Sequence, residues 1–244
     1  MRGRISFGLI VSLACAHASA DAACVTPEAA SHATASITRY FDAEEMKAEP
    51  DTAGIRGTAW FLAQNLVVTA GHVAEAMKLS SRDWKQLEIA GADIRQSSPA
   101  RLIQQVGSNA ETLAVLELGA AFPSAQSLSI RMEPLVPEEH VASLTYKGGH
   151  LRFAEGRFVE YGRADGVVGM ALLEMSDGND RLVLDHGASG APVIDCEGRV
   201  VAAVVSIFTQ TMRFQSQVVR ISTPWGSPNV SSVPAQVLRD AQRP

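Results

Sequence analysis

The chain lacks several patterns that would assign it to a common class of protein. It has no run of lysine or arginine, and its net charge is −5 with histidine neutral, which argues against a nucleic acid partner. It also has no glycine-rich nucleotide loop, no residues spaced as metal ligands and no internal repeat. The sequence therefore implies neither a metal nor a cofactor.

Long apolar runs are scarce, and the clearest one lies at the N-terminus. Arg2 and Arg4 precede an apolar run, Ile5 to Ala14, that is too short to span a bilayer, and Ala18 to Ala20 fits a cleavage site. An N-terminal anchor or a buried helix is the alternative. We expect residues 1–20 to be a signal peptide cut after their last alanine. The mature chain would then have no membrane span and would be secreted or periplasmic.

Cysteine is rare, with three in the whole chain. Cys15 would leave with the signal peptide, so the mature protein would keep Cys24 and Cys196. An even pair in an oxidising compartment favours a disulfide, which would tie the N-terminal segment to the core near Ser189. Two free thiols are the alternative.

The composition is that of a globular protein, since 46% of the residues are hydrophobic and 19% are charged. Short runs rich in β-forming residues recur along the chain between turn residues. They cover residues 102–106, 112–118, 141–146, 157–161, 167–175, 200–208 and 214–221. This pattern predicts an all-β barrel or sandwich.

Two helices are predicted near the ends of the mature chain. Pro27 to Met46 has helical composition and predicts a short extension that packs outside the main fold, and Val233 to Ala241 predicts a closing helix. The expected organisation after the signal peptide is an N-terminal extension over 21–54 and a main domain over 55–244.

A histidine follows the clearest strand pair in the sequence. Gly57 to Ala63 and Leu66 to Ala70, separated by Gln-Asn, predict a β-hairpin that runs directly into His72. An imidazole with a pKa of about 6.5 can accept and return a proton at neutral pH. His72 is therefore a candidate base, with a structural histidine at a strand end as the alternative.

A serine between two glycines is the second feature that could carry chemistry. In the stretch Asp185 to Pro192, the flanking glycines permit turns that lift the Ser189 hydroxyl clear of the chain. The N–H groups of Gly187 and Ser189 would then point into one cavity, as in an oxyanion hole beside a nucleophile. An ordinary turn serine is the alternative.

These motifs occur in an informative order: Thr-Ala-Gly-His-Val around His72, then a Leu-Ala-Val-Leu strand, then Gly-Ala-Ser-Gly-Ala-Pro around Ser189. The combination resembles the trypsin-like serine proteases, in particular the bacterial branch without zymogen activation, over roughly residues 55–240. The resemblance implies two antiparallel six-stranded β-barrels with the active site between them. It also implies a polypeptide substrate, with Ser189 as nucleophile and His72 as general acid and base.

The chain departs from the family at the third member of the catalytic triad. The family has an aspartate directly before the Leu-Ala-Val-Leu run, where this chain has Thr112. Glu111 precedes it, but neighbouring strand residues point to opposite faces, so Glu111 would need a bulge or a curled side chain. Asn109 is a further polar candidate. An enzyme that uses Glu111, a slow Ser-His dyad and a fold kept for binding all stay open.

The resemblance also implies where a substrate would bind. A peptide backbone would pair with the strand at Val204 to Ile207, in which Ser206 matches a serine that supports the third triad member. The pocket for the residue before the scissile bond would be lined by Val183, Leu184 and residues 205–208, including Ile207 and Phe208, with His186 at its rim. This lining predicts a small or apolar substrate side chain.

The sequence thus predicts a secreted or periplasmic serine endopeptidase with a double β-barrel. The rivals are a pseudoprotease that binds a peptide or protein in the same cleft, and an esterase on the same site. A carboxylate against His72 would favour an enzyme, whereas Thr112 alone would favour the dyad or the binding protein. An α/β-hydrolase is disfavoured because its helices are missing and His72 precedes Ser189.

Overall fold

The computed structural model describes residues 27–48, 50–108, 111–147, 150–164, 166–176, 184, 187–207, 209–214, 217–222 and 227–242. The predicted signal peptide and six of the residues named above lie outside these ranges: Cys24, Asn109, Val183, Asp185, His186 and Phe208.

Six antiparallel strands close into a first barrel. They are β1 (Thr34–Tyr40), β2 (Gly54–Ala63), β3 (Leu66–Ala70), β4 (Lys85–Gly91), β5 (Arg95–Ser108) and β6 (Glu111–Leu118). Their order around the barrel is β1-β2-β3-β6-β5-β4, and β1 closes it by pairing with both β2 and β4. The pairing of β2 with β3 confirms the predicted hairpin before His72.

The described residues of the second half of the chain form eight strands. They are β7 (His140–Lys147), β8 (His150–Ala164), β9 (Val167–Ser176), β10 (Pro192–Ile194), β11 (Val200–Ile207), β12 (Thr209–Phe214), β13 (Gln217–Ser222) and β14 (Val230–Pro234). Six of them close into a second barrel in the order β10-β11-β14-β9-β8-β7. The predicted all-β double barrel is confirmed.

One apolar cluster joins the two barrels. It includes Val68 and Leu113 from the first barrel and Leu144 and Met170 from the second, and each is at most 2% exposed. A separate cluster fills the second barrel. The two barrels therefore pack against each other through a shared core.

The N-terminal segment differs from its predicted helical form. Two short helices, α1 (Pro27–Ser31) and α2 (Ala43–Ala48), flank β1. The helical interpretation is wrong for residues 34–40, which form a strand of the first barrel. The helical interpretation followed the alanine-rich composition of the whole segment. It overlooked a strand in which Thr34, Ser36 and Thr38 alternate with Ala35 and Ile37 and six of the seven residues are buried.

The C-terminal part also differs in detail. The run 214–221, predicted as one strand, is divided between β12 and β13, a two-stranded sheet apart from both barrels. The closing helix is present as a 3₁₀ helix at Ala235–Gln242, after β14. Among the described residues, no helix has the length and apolar character needed to cross a membrane.

Candidate active site

His72 lies where a buried strand turns into a short helix. β3 ends at Ala70, and the helix α3 (Gly71–Ala76) follows without a break. Val73 and Ala74 are 4% and 1% exposed and fix α3 against the core, while His72 is exposed between the strand end and these anchors. The short helix therefore presents the imidazole at the surface from a rigid base.

The surroundings of His72 favour its neutral form. Although the residue is exposed, the protein around its ring desolvates it and lowers the pKa of His72, and the charge of Glu75 opposes this shift. Glu75 lies three residues further along α3, the spacing of neighbours on one helix face. A neutral imidazole at neutral pH can act as a proton acceptor.

Ser189 lies in a tight turn that needs glycine on both sides. Gly187 and Gly190 have φ angles of +100° and +90°, a region that a Cβ disfavours. The Ala191 N–H donates to the carbonyl of Ala188 at 2.8 Å, and the Gly190 N–H donates to the carbonyl of Val204 at 2.7 Å. The turn thus holds Ser189 between two fixed neighbours.

The N–H groups of Gly187 and Ser189 differ from those of Gly190 and Ala191, which donate within the protein. The peptide plane that carries the Ser189 N–H also carries the Ala188 carbonyl, which points into the turn, so the N–H points the opposite way. Within the part of the chain that the structure describes, the N–H groups of Gly187 and Ser189 have no backbone acceptor. This is the condition that an oxyanion hole requires.

Thr58 on β2 holds the Ser189 turn from the other barrel. Its N–H donates to the carbonyl of Ser189 at 3.0 Å, and its hydroxyl donates to the carbonyl of Gly187 at 2.6 Å. The Thr69 hydroxyl on β3 donates in turn to the carbonyl of Thr58 at 2.8 Å. The sequence analysis did not identify Thr58, although it is part of the Gly-Thr-Ala-Trp-Phe-Leu hairpin strand.

Gly57 and Gly190 lie where the chain around His72 and the chain around Ser189 come close together. A Cβ on Gly57 would lie 2.6 Å from the Val73 side chain and 3.4 Å from the Ser189 carbonyl oxygen. A Cβ on Gly190 would lie 2.9 Å from the Ala70 nitrogen. The structure therefore brings the predicted base and nucleophile to the same place between the barrels.

Thr112 lies next to Gly71, the first residue of α3 and the residue before His72. The antiparallel pairing of Ala70 with Leu113 puts Thr112 next to Gly71, and a Cβ on Gly71 would lie 1.8 Å from Thr112 Oγ1. Gln105 on β5 donates from Nε2 to Thr112 Oγ1 at 2.7 Å. Gln105 carries no motif in the sequence, and only the β5–β6 register places it near Thr112.

Glu111 lies on the other face of β6. The β5–β6 register continues without a shift from the Val106–Leu113 pair to the Ser108–Glu111 pair. Consecutive residues of an unbulged strand point to opposite faces, so Glu111 and Thr112 diverge. The carboxylate that affects the pKa of His72 is that of Glu75.

Comparison with known proteins agrees with the fold and the motifs. Residues 57–202 match the sequence profile of the trypsin-like peptidase domain, which covers more than half of the chain. The chain belongs to the trypsin-like peptidase family. No curated protein sequence matches it significantly.

Solved structures of proteases resemble this trypsin-like peptidase in fold. The active form of the Rv3671c protease from M. tuberculosis is 16% identical, with a TM-score of 0.56 over 87% of this chain and 80% of that one. The HtrA-type protease AlgW, solved with a tripeptide, is 18% identical, with a TM-score of 0.57 over 87% of this chain and 60% of that one. Deg5 is 12% identical, with a TM-score of 0.56 over 86% and 87%.

The strand expected to bind substrate has one edge that is paired only in part. The pairing of β11 with β10 ends at Ala203, whereas its pairing with β14 continues to Ile207. Ser206 Oγ lies 2.7 Å from Ser231 Oγ on β14. Leu184 is 1% exposed in the core of the second barrel. The substrate contacts assigned to this trypsin-like peptidase stay predictions.

The predicted Cys24–Cys196 disulfide also stays a prediction, since Cys24 lies outside the described residues. Cys196 is exposed in the turn after β10, with Sγ 4.0 Å from the carbonyl oxygen of His140.

Replacing Thr58 with valine is expected to lower the free energy of unfolding of the trypsin-like peptidase by about 1–3 kcal/mol. The variant keeps the shape but removes the hydroxyl that serves the Gly187 carbonyl and accepts the Tyr146 N–H at 3.3 Å. Urea unfolding measures the loss. Thr58→Ser, which keeps the hydroxyl, is the matched control, and equal loss in both variants would contradict this role.

Proposed function

We propose that the chain is a serine endopeptidase in which Ser189 is the nucleophile and His72 the general acid and base. The observation that carries this proposal is the position of Gly57. A Cβ there would touch both Val73, next to His72 on α3, and the carbonyl oxygen of Ser189. A serine hydroxyl needs an adjacent base because it is a weak nucleophile at neutral pH. His72, neutral at that pH, would supply the base.

The proposed reaction is acyl transfer in two steps. Ser189 Oγ attacks the carbonyl carbon of the peptide bond while its proton passes to His72. The oxyanion would accept hydrogen bonds from the N–H groups of Gly187 and Ser189, and His72 would give its proton to the leaving amine. In the second step water would give a proton to His72 and attack the acyl carbon. The ester bond to Ser189 Oγ would break, and His72 would return the proton to that oxygen. The substrate backbone would pair with β11 beyond Val204, because the N–H and carbonyl of Val204 are already bonded to Ala191 and Gly190.

Thr112 favours a second candidate, a protein that keeps the fold for binding. In a triad, a carboxylate orients the base and stabilises the imidazolium that forms. Thr112 can orient the ring but carries no charge, and the β6 register turns Glu111 away from this side. The enzyme that we propose therefore has a Ser-His pair supported by Thr112 and is slow. The second candidate is a protein with the same fold whose cleft binds a peptide without cleaving it.

The predicted signal peptide supports export, so we propose that the enzyme acts in the periplasm or outside the cell. It would be competent as secreted, because Ala188 stands where family members activated by cleavage have an aspartate.

Labelling with a fluorophosphonate probe tests the proposal without knowledge of the substrate. We expect the purified protein to be labelled, and we expect Ser189→Ala and His72→Ala to lose labelling while keeping the unfolding temperature of the parent. Labelling that persists in Ser189→Ala would contradict the assignment of the nucleophile. No labelling of the folded parent protein would favour the binding protein.

A further inference from the structure

A cavity of about 390 Å³ lies on the outer face of the first barrel, and none of the proposed catalytic or substrate-binding residues lines it. Its floor is built from alternate residues of β1, because Ser36 and Thr38 face outward while Ile37 faces the core. The volume lies within the range of small-molecule sites, about 300–1,000 Å³. The cavity is thus large enough for a small organic ligand.

The floor of the cavity offers a hydroxyl that a ligand can reach. Ser36 is 4% exposed and lines the cavity. A serine hydroxyl can donate one hydrogen bond, so Ser36 can donate to a carboxylate oxygen held in the cavity.

Arg56 adds an oriented cation beside this hydroxyl. The strand register puts Thr38 opposite Arg56 on β2, and Arg56 Nε donates to Thr38 Oγ1 at 3.2 Å. Arg56 is exposed, and this bond directs its guanidinium towards Thr38, while its two terminal amino groups have no partner in the described ranges. Paired terminal N–H groups of arginine fit a carboxylate or a phosphate in a two-point contact.

The other charges of the lining favour a single negative charge on the ligand. Glu88 on β4 pairs with Thr38 from the side opposite Arg56, and Arg95 lies 3.6 Å from the Glu88 carboxylate. The two arginines and the one glutamate of the lining carry a net charge of +1. A dianionic phosphate would be repelled by Glu88, whereas a carboxylate would balance the charge.

We propose that this cavity binds the carboxylate of a small organic anion, held by Arg56 and the hydroxyls of Ser36 and Thr38. Glu88 on the far side can accept a hydrogen bond from an N–H of the same ligand. A free organic acid and the C-terminal end of a peptide share this carboxylate. The proposal does not depend on the catalytic assignment, since the lining contains no proposed catalytic residue.

The test is an NMR titration of the purified protein with N-acetylglycine, its neutral analogue N-acetylglycinamide, and acetate. N-acetylglycine is expected to shift the amide signals of Ser36, Thr38 and Ala90, with affinity at least tenfold above that of the amide. Acetate binding as tightly as N-acetylglycine would identify a free acid as the source. Acetate binding more weakly would identify a peptide end, because acetate has no N–H for Glu88.

Two variants and one control test whether N-acetylglycine binds in this cavity. Arg56→Gln is expected to weaken N-acetylglycine at least tenfold, whereas Arg82→Gln, an exposed arginine outside the cavity, should leave it unchanged. Ala90→Leu should fill the cavity and block binding without removing a charge. Equal affinity for acid and amide, full affinity in Arg56→Gln, or shifts confined to the surroundings of Ser189 would overturn the proposal.

Discussion

Replacing Thr112 with aspartate is expected to raise kcat/KM for a peptide substrate by about 10²–10³-fold. Loss of the aspartate from a complete triad costs about 10⁴-fold, and the threonine hydroxyl should retain part of this by orienting the ring. Position 112 is suited to the change because Thr112 Oγ1 packs against Gly71, directly before His72. Gln105, which donates to Thr112 Oγ1 at 2.7 Å, would supply a hydrogen bond to the new carboxylate.

The same substitution should move the pH profile. In the wild-type protein burial lowers the pKa of His72, so activity should decline only as the pH falls through a value below the usual 6.5. A carboxylate beside the ring stabilises the imidazolium and raises the pKa of His72. The acidic limb of kcat/KM should therefore shift to higher pH in the aspartate variant.

Thr112→Asn is the matched control, since asparagine has the size of aspartate without its charge. It should give neither the higher rate nor the shifted pH profile. If the aspartate and asparagine variants are equally active, position 112 does not reach His72. If Glu111→Gln instead lowers the rate of the wild-type protein, Glu111 is the third member.

Replacing Gly190 with alanine is expected to lower the free energy of unfolding by about 2–5 kcal/mol. Its φ angle of +90° disfavours any Cβ. The new Cβ would also lie 2.2 Å from the Thr58 carbonyl oxygen and 2.9 Å from the Ala70 nitrogen, both backbone atoms that cannot rotate away. Urea unfolding of the variant measures the loss, and labelling of Ser189 should fall with it.

Gly169→Ala separates the two causes. Gly169 has a φ angle of +85°, but a Cβ there would have no atom within 4 Å. This variant should lose only about 1–2 kcal/mol, the cost of the backbone conformation. A loss in Gly190→Ala no larger than in Gly169→Ala would show that the turn can move away from β2 and β3.

The sequence was informative where local pattern and chemistry coincide. A two-residue turn between apolar runs predicted the β2–β3 hairpin, and with it the position of His72 at the strand end. The glycines around Ser189 indicated a special turn, and two of them have positive φ angles. These features are local, so a single sequence can reveal them.

Features that depend on distant pairing were missed. β1 was missed because the alanine-rich segment around it has helical composition, although β1 itself alternates with the period of a strand and pairs with β2 and β4. Gln105 and Thr58 carry no motif of their own, and each acquires a role from the strand or turn opposite it. Residues of this kind become visible only when the register of the barrels is known.

The hold of Thr58 on the Ser189 turn has a consequence for the order of events during folding. The turn belongs to the half of the chain that is synthesised last, whereas its two hydrogen-bond donors belong to a strand made much earlier. The turn has hydrogen bonds of its own within the second half, from Gly190 to Val204 and from Ala191 to Ala188. The two bonds from Thr58 are added only when both halves have docked, so a nascent chain would complete this turn last.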